Sequence, residues 1–401
     1  MGKTELGASV AQQTQPELGA IRLWYPIGRE GGIMKEQKRT NRSKKGSVPA
    51  TKAKKSASAV TWDELDRSEQ VSVVANLFCN GLRMAEVAET ISERYATDFT
   101  REATYPIIAE AARRGWIRYV PPPEIRLQSM LKNEIPWLKN GKVIHTNQFE
   151  DVACHGGEML LSLLEEYRLK GRDEVHIGFA GGHAMRKLVQ AFAPLVKDAG
   201  YKVPKKVILH ALVAGFDVYE PTTDPNTFFT LFHSTGPVDP QFSYVGLHTP
   251  PVVRSDHFAE LRTVEGIRES YDCAKQIDII VTSATNWSDE HSTFRKYMQI
   301  SDGCSSVLEK AGCIGDMLWL PVGSDGPVKV KTKIRPMTLL ELDELPRLIK
   351  GGKYVLLVLG PCSKCSRPKA DILKAILSQA WDKRLITHLV ADSRSVREVF
   401  K

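Results

Sequence analysis

Past residue 121 the chain alternates apolar runs of strand character with helical patterns, and that alternation limits it to few architectures. The strand-type runs are Val175–Ala180, Lys206–Val213, Ile277–Thr282, Met317–Pro321, Tyr354–Leu359 and Leu385–Val390. Between several of them lie helical patterns, notably Met159–Leu169, Met185–Leu195, Val264–Lys275 and Lys369–Trp381. Apolar strands of this length are buried on both faces, and parallel strands need crossover helices, so an open, Rossmann-like α/β sheet is predicted. Ligands of such sheets sit at the carboxyl ends of the strands.

A different pattern precedes it. Val71, Val74, Ala75, Leu77 and Phe78 have near-helical spacing ended by Gly81, a second helix fits Met84–Arg94, and a third fits Thr104–Arg114. Three short helices followed by Gly115–Val120 suggest a winged helix-turn-helix, and Pro121-Pro122-Pro123 marks a stiff linker behind it. The expected division is a basic arm over 1–58, a helix-turn-helix domain over 59–120 and an α/β effector domain over 121–401.

The arm is polar, without apolar periodicity, and is expected to be disordered. Its charge is informative. The chain carries a formal +8, and residues 35–55 alone hold nine Lys and Arg against Glu36. Such a stretch suits a polyanionic partner. Met34, with the lysines behind it, has the look of an ordinary start of translation. No apolar run spans a bilayer and no signal peptide is visible, so a cytoplasmic protein without a membrane is expected. The seven cysteines are odd in number and scattered, which excludes a secreted disulfide framework. Cys362 and Cys365 form a CxxC, but no second pair stands at zinc spacing, so neither metal nor cofactor is expected.

Three segments carry candidate chemistry. Val175–Met185 reads as a strand, a glycine turn and a helix; the small Gly181 and Gly182 admit an anion to the unpaired amides of the helix start at His183. A tight turn that binds nothing has the same pattern. Gly312-Cys313-Ile314-Gly315-Asp316 leads a strand and would set Asp316 near the sheet edge, where a hydroxyl could be bound. Lys369 stands at a helix start, unfavourable to the dipole unless an anion is present, although an exposed surface lysine would look the same.

In order along the chain, these segments resemble the SorC type of sugar-binding bacterial transcriptional regulator, which includes the central glycolytic gene regulator. The match rests on Glu86-Val87-Ala88 and Ala111–Ile117 in the helical region, on Cys273–Gly326 with its Gly312–Asp316 signature, and on Pro368-Lys369, Leu385-Ile386-Thr387 and Asp392-Ser393. The resemblance implies an effector domain with the fold of ribose-5-phosphate isomerase and glucosamine-6-phosphate deaminase, kept for binding. It implies a homo-oligomer, tetramer or dimer, whose affinity for double-stranded DNA shifts with a phosphorylated sugar. Carried over, Gly181, Gly182 and His183 would face the phosphate, Lys369 would stand opposite, and Asp316 would meet the sugar hydroxyls.

The chain also departs from the family. Pro106 replaces a basic residue of the third helix and is expected to fix that helix's start at Tyr105 or Pro106. Thr61–Pro122 holds seven arginines against ten acids, a poor footprint for a duplex. The arm would then neutralise phosphates, leaving Arg101, Thr104, Tyr105 and Arg113 as candidate DNA contacts. His183 stands where the family has threonine or serine; with an ordinary pKa of about 6.5, a histidine would make binding pH-sensitive. A regulator without turnover is expected. The alternatives are a sugar-phosphate isomerase or deaminase on the same fold, and an N-terminal module that docks protein.

Overall fold

The computed structural model describes residues 21–23, 60–215, 220–233 and 240–401. The chain separates into two compact units, Met1–Val120 and Pro121–Lys401.

Three helices build the first unit: α1 (Arg67–Cys79), α2 (Met84–Tyr95) and α3 (Arg101–Arg113). Asp66 caps α1 by accepting the Glu69 amide at 2.8 Å, while Glu69 reaches back to the Asp66 amide. This reciprocal arrangement satisfies two of the amides a helix start leaves open. Val71, Val74, Ala75, Val87, Ile91, Ile107 and Ala111 form the core, with Trp62 set edge-on to Tyr95 and Phe99. The strand Ile117–Tyr119 pairs antiparallel with Ile21–Leu23, so this part of the arm has regular structure, while most of it lies outside the described residues.

The third helix begins a turn earlier than its sequence suggests. Thr100 caps it, accepting the Ala103 amide at 3.3 Å, and Pro106 lies inside it. The proline removes the helical donor for the Glu102 carbonyl, on a face where both residues are exposed to water.

The second unit is built on a seven-stranded, wholly parallel sheet. Its order is Asn140–Ile144, His388–Asp392, Tyr354–Leu359, Ile279–Thr282, Glu174–Phe179, Lys206–Ala211 and Gln241–Val245. Tyr354–Leu359 is buried at every position, as an apolar strand covered on both faces must be. The helices Phe149–Leu169 and His183–Asp198 pack closely together. From Glu174–Phe179 the chain steps outward through two strands to one edge. It then returns to Ile279–Thr282 on the other side, which creates a topological switch between these two strands.

One strand reading is corrected. Met317–Pro321 is no strand of this sheet. Cys313–Met317 and Leu320–Gly323 form a hairpin within a separate antiparallel sheet, beside Ala284–Asn286. Leu318 and Trp319 make the turn with φ of 55° and 60°, the left-handed pair that a tight hairpin demands and that Asn-Gly usually supplies. No helix among the described residues is long and apolar enough to cross a membrane.

Candidate functional site

A cavity opens at the carboxyl ends of Glu174–Phe179, Ile279–Thr282 and Tyr354–Leu359, where the topology predicts a ligand. Gly181, Gly182, His183, Asp316 and Lys369 all line it, although they are spread over almost two hundred residues of sequence.

The glycine turn forms one wall. Gly182 precedes the helix His183–Asp198 with φ of 105°, a conformation that a Cβ would strain. Its amide donates to the Thr223 carbonyl at 2.8 Å, and its carbonyl accepts the Arg186 amide at 2.9 Å. The following helix start turns open amides and a positive dipole end toward the cavity. The His183 ring pairs through Nε2 with the Glu220 carboxylate, which also faces Lys364 Nζ at 3.8 Å.

Lys369 and Asp316 lie in the depth. The lysine is the residue before the helix Ala370–Leu377, and it is buried, so the exposed surface lysine is ruled out. Its Nζ donates to the Ala284 carbonyl at 3.0 Å, and its backbone amide donates to Ser395 Oγ at 2.9 Å. Burial lowers its pKa, opposed by the charges of Cys362, Asp289, Asp316 and Asp392. Asp316 is not at a sheet edge; it stands within Cys313–Met317, buried, accepting from Ser292 Oγ at 3.3 Å. Desolvation raises its carboxyl to about 7, against the pull of Lys369 and Ser292, with Asp289 adding to the rise. Leu318 and Trp319 also line the cavity, so the left-handed turn sits at the site itself.

Several lining groups were not singled out from sequence. Ser283 follows the Ile279–Thr282 strand, and its buried hydroxyl has no hydrogen-bond partner. Such a group is costly unless something else completes it. Its signal was available: it is the first residue beyond a strand at the switch point. Asp289 accepts the His291 amide at 2.9 Å and lies 3.1 Å from His291 Nδ1. Burial raises its pKa, but the His291 amide, Cys362, Lys369 and the His291 ring together hold it below the usual range. Burial pushes the Cys362 thiol up, against the backbone amides of Cys365 and Lys364.

The four candidate DNA contacts fare differently. Arg101, Tyr105 and Arg113 are exposed on α3, with Arg101 Nε donating to the Tyr105 hydroxyl at 3.0 Å. Thr104 is fully buried; its hydroxyl turns back to the Thr100 carbonyl at 3.4 Å, so it cannot reach a base edge. The earlier helix start explains this correction: it puts Thr104 inside the helix, three and seven residues before Ile107 and Ala111 and therefore on their core-facing side.

No family model matches this chain, and no curated protein does. Among solved structures it is similar to the full-length sorbitol operon regulator SorC from Klebsiella pneumoniae, with TM-score 0.59 and 15% identity over 84% of this chain and 100% of that one. It is also similar to a DeoR family transcriptional regulator from Listeria monocytogenes, with TM-score 0.50 and 16% identity over 69% of this chain and 98% of that one. At such identities the likeness is one of architecture, and by architecture this chain has the fold of the SorC sorbitol operon regulator.

Proposed function

We propose that the protein is a DNA-binding transcriptional regulator whose operator affinity is set by a phosphorylated sugar held in the α/β unit. The observation that carries this reading is the burial of Lys369 and Asp316 in one cavity with an open helix start. A cation and helix amides suit a phosphate, while Asp316 and the unpartnered Ser283 hydroxyl suit the hydroxyls of a sugar. The ligand's phosphate would replace the Glu220 carboxylate between His183 and Lys364. Both solved structures named above are of regulators, which supports the assignment to transcription. Arg101, Tyr105 and Arg113 on α3, with the basic arm, are the residues offered to DNA, and the protein acts as a homo-oligomer.

A second reading has its own observation. A carboxyl titrating near 7 beside a lysine of lowered pKa is the pairing a proton-transfer enzyme uses, which favours a sugar-phosphate isomerase or deaminase.

Full-length protein should be melted and titrated onto its own upstream DNA with a panel of phosphosugars and their unphosphorylated forms. One phosphosugar is expected to raise the melting temperature and change DNA affinity, and its free sugar should not. Lys369→Met is expected to weaken that phosphosugar roughly ten- to a hundredfold, the size of a lost charged hydrogen bond. A panel with no effect on melting, or binding no tighter than to random DNA, would overturn the regulator. Turnover of one panel member would establish the enzyme.

A further inference from the structure

We propose that Cys362, Cys365, His291 and Asp289 bind a zinc-class transition-metal ion on the wall of the ligand cavity. Sequence spacing gives the CxxC no partners. The fold supplies them from the turn between Ala284–Asn286 and the helix Thr293–Ile300, which faces the loop after Tyr354–Leu359. One ligand atom from each of the four residues lies within 4.8 Å of all the others.

The individual spacings fit a tetrahedron. His291 Nδ1 lies 3.6 Å from Cys362 Sγ and 3.1 Å from the Asp289 carboxylate. Metal bonds of about 2.3 Å to sulfur and about 2.0–2.1 Å to nitrogen or oxygen place such neighbours about 3.3–3.6 Å apart at tetrahedral angles. The remaining pairs lie within 4.8 Å, so closure requires a small inward movement, and Cys365 is the cysteine of the pair with freedom, being half-buried while Cys362 is buried. The loop that carries both cysteines is closed by its own backbone: the Cys362 amide donates to the Arg367 carbonyl at 3.0 Å, and the Ser366 amide donates to the Cys362 carbonyl at 2.8 Å.

The donor set selects the ion. Two thiolates and an imidazole favour zinc, cobalt or a similar soft-to-borderline cation over magnesium or calcium, which prefer oxygen. Charge favours it too. Two thiolates, a carboxylate and a dication leave a single negative charge, and the buried Lys369 ammonium already interacts with both Cys362 and Asp289. Binding releases the protons the thiols otherwise hold. Because Asp289, His291 and Cys362 line the ligand cavity, the ion would pin the loop that carries Lys364 to the opposite wall. The site stands whether the cavity regulates or catalyses.

The test uses reduced, chelator-stripped, full-length protein titrated with cobalt(II). The expected result is the visible spectrum of tetrahedral cobalt with thiolate charge transfer, saturating at one ion per chain and abolished by added zinc. Cys362→Ser and Cys365→Ser should each cut the charge-transfer band to about half or less, His291→Gln should weaken cobalt binding, and Cys273→Ser should leave the band intact. Should Cys362→Ser fail to fold by circular dichroism, the less buried Cys365→Ser carries the test. Cobalt without thiolate charge transfer, a band of full intensity in both cysteine variants, or a Cys362–Cys365 disulfide in protein kept from oxidants would each overturn the site.

Discussion

Arg101 and Lys369 both place a cation at the start of a helix, one on the surface of the helical unit and the other inside the α/β unit. Neither position favours a positive charge, because the helix dipole opposes it. Arg101 escapes the cost by staying in water and leaning its guanidinium on Tyr105. Lys369 has no such escape, and its charge is met by the Ala284 carbonyl and by acids on three different segments. A buried cation at a helix start therefore needs a whole scaffold to hold it. An exposed one needs only solvent, and it can be altered without disturbing the fold.

That contrast breaks most easily at Gly315. Ala284–Asn286, whose first carbonyl holds Lys369, pairs with Cys313–Met317, and a Cβ on Gly315 would collide with the Thr285 carbonyl and press on Ile372. Backbone leaves little room to adjust. Gly315→Ala is expected to destabilise the α/β unit by about 3 kcal/mol, at the upper end of overpacking costs, and to abolish phosphosugar stabilisation. Denaturant unfolding with and without ligand checks this. An alanine variant as stable as the parent would mean that the scaffold around Lys369 is looser than its geometry implies.

Asp316 sharpens the contrast through pH. Its folded-state pKa of about 7 stands above the ordinary carboxylate value of 3.8, so between these limits the folded protein keeps a proton that the unfolded chain has lost. Stability contributed by this group is whole below about pH 4 and declines as pH rises through about 7, by an amount on the order of a few kcal/mol for so buried a group. Asp316→Asn should flatten that decline and make the protein more stable than the parent at pH 8. Unfolding free energies measured across this range would refute the assignment if the two proteins kept the same slope.

The two regions also differed in how far their sequences could be read. Tyr354–Leu359 and Glu174–Phe179 are legible because strands buried on both faces carry continuous apolar runs. The two strands of the seven-stranded sheet that were not anticipated, Asn140–Ile144 and Gln241–Val245, are its edges, where half-exposed positions dilute the signal. The hairpin at Met317–Leu320 was hidden because Leu318 and Trp319 occupy left-handed positions without the usual turn residues. Within the cavity, Gly181, Gly182, His183 and Lys369 could be found because they lie on loops that follow strands of the parallel sheet, whereas Asp316, which belongs to the separate antiparallel sheet, was legible only through the family resemblance. The approach of Asp289 and His291 to the cysteine pair has no sequence signal, since it depends on the path of a loop. On α3 the deciding quantity was the helix start, and an error of one turn moved Thr104 from the surface to the core.

The same helix gives the smallest expected effect and the finest test. If Arg101 and Tyr105 contact DNA as proposed, Arg101→Ala should weaken specific operator binding by about 1–3 kcal/mol while leaving the melting temperature almost unchanged. Thr104→Val keeps the buried shape of the threonine and removes only a hydroxyl that turns back on its own helix at 3.4 Å. Operator affinity should then stay within about 0.5 kcal/mol of the parent, the range of changes remote from a contact. Titrating both variants onto the same operator at one salt concentration separates them. Equal losses would show that α3 is read through its stability, and an effect of Thr104→Val larger than that of Arg101→Ala would place the DNA on another face of the helical unit.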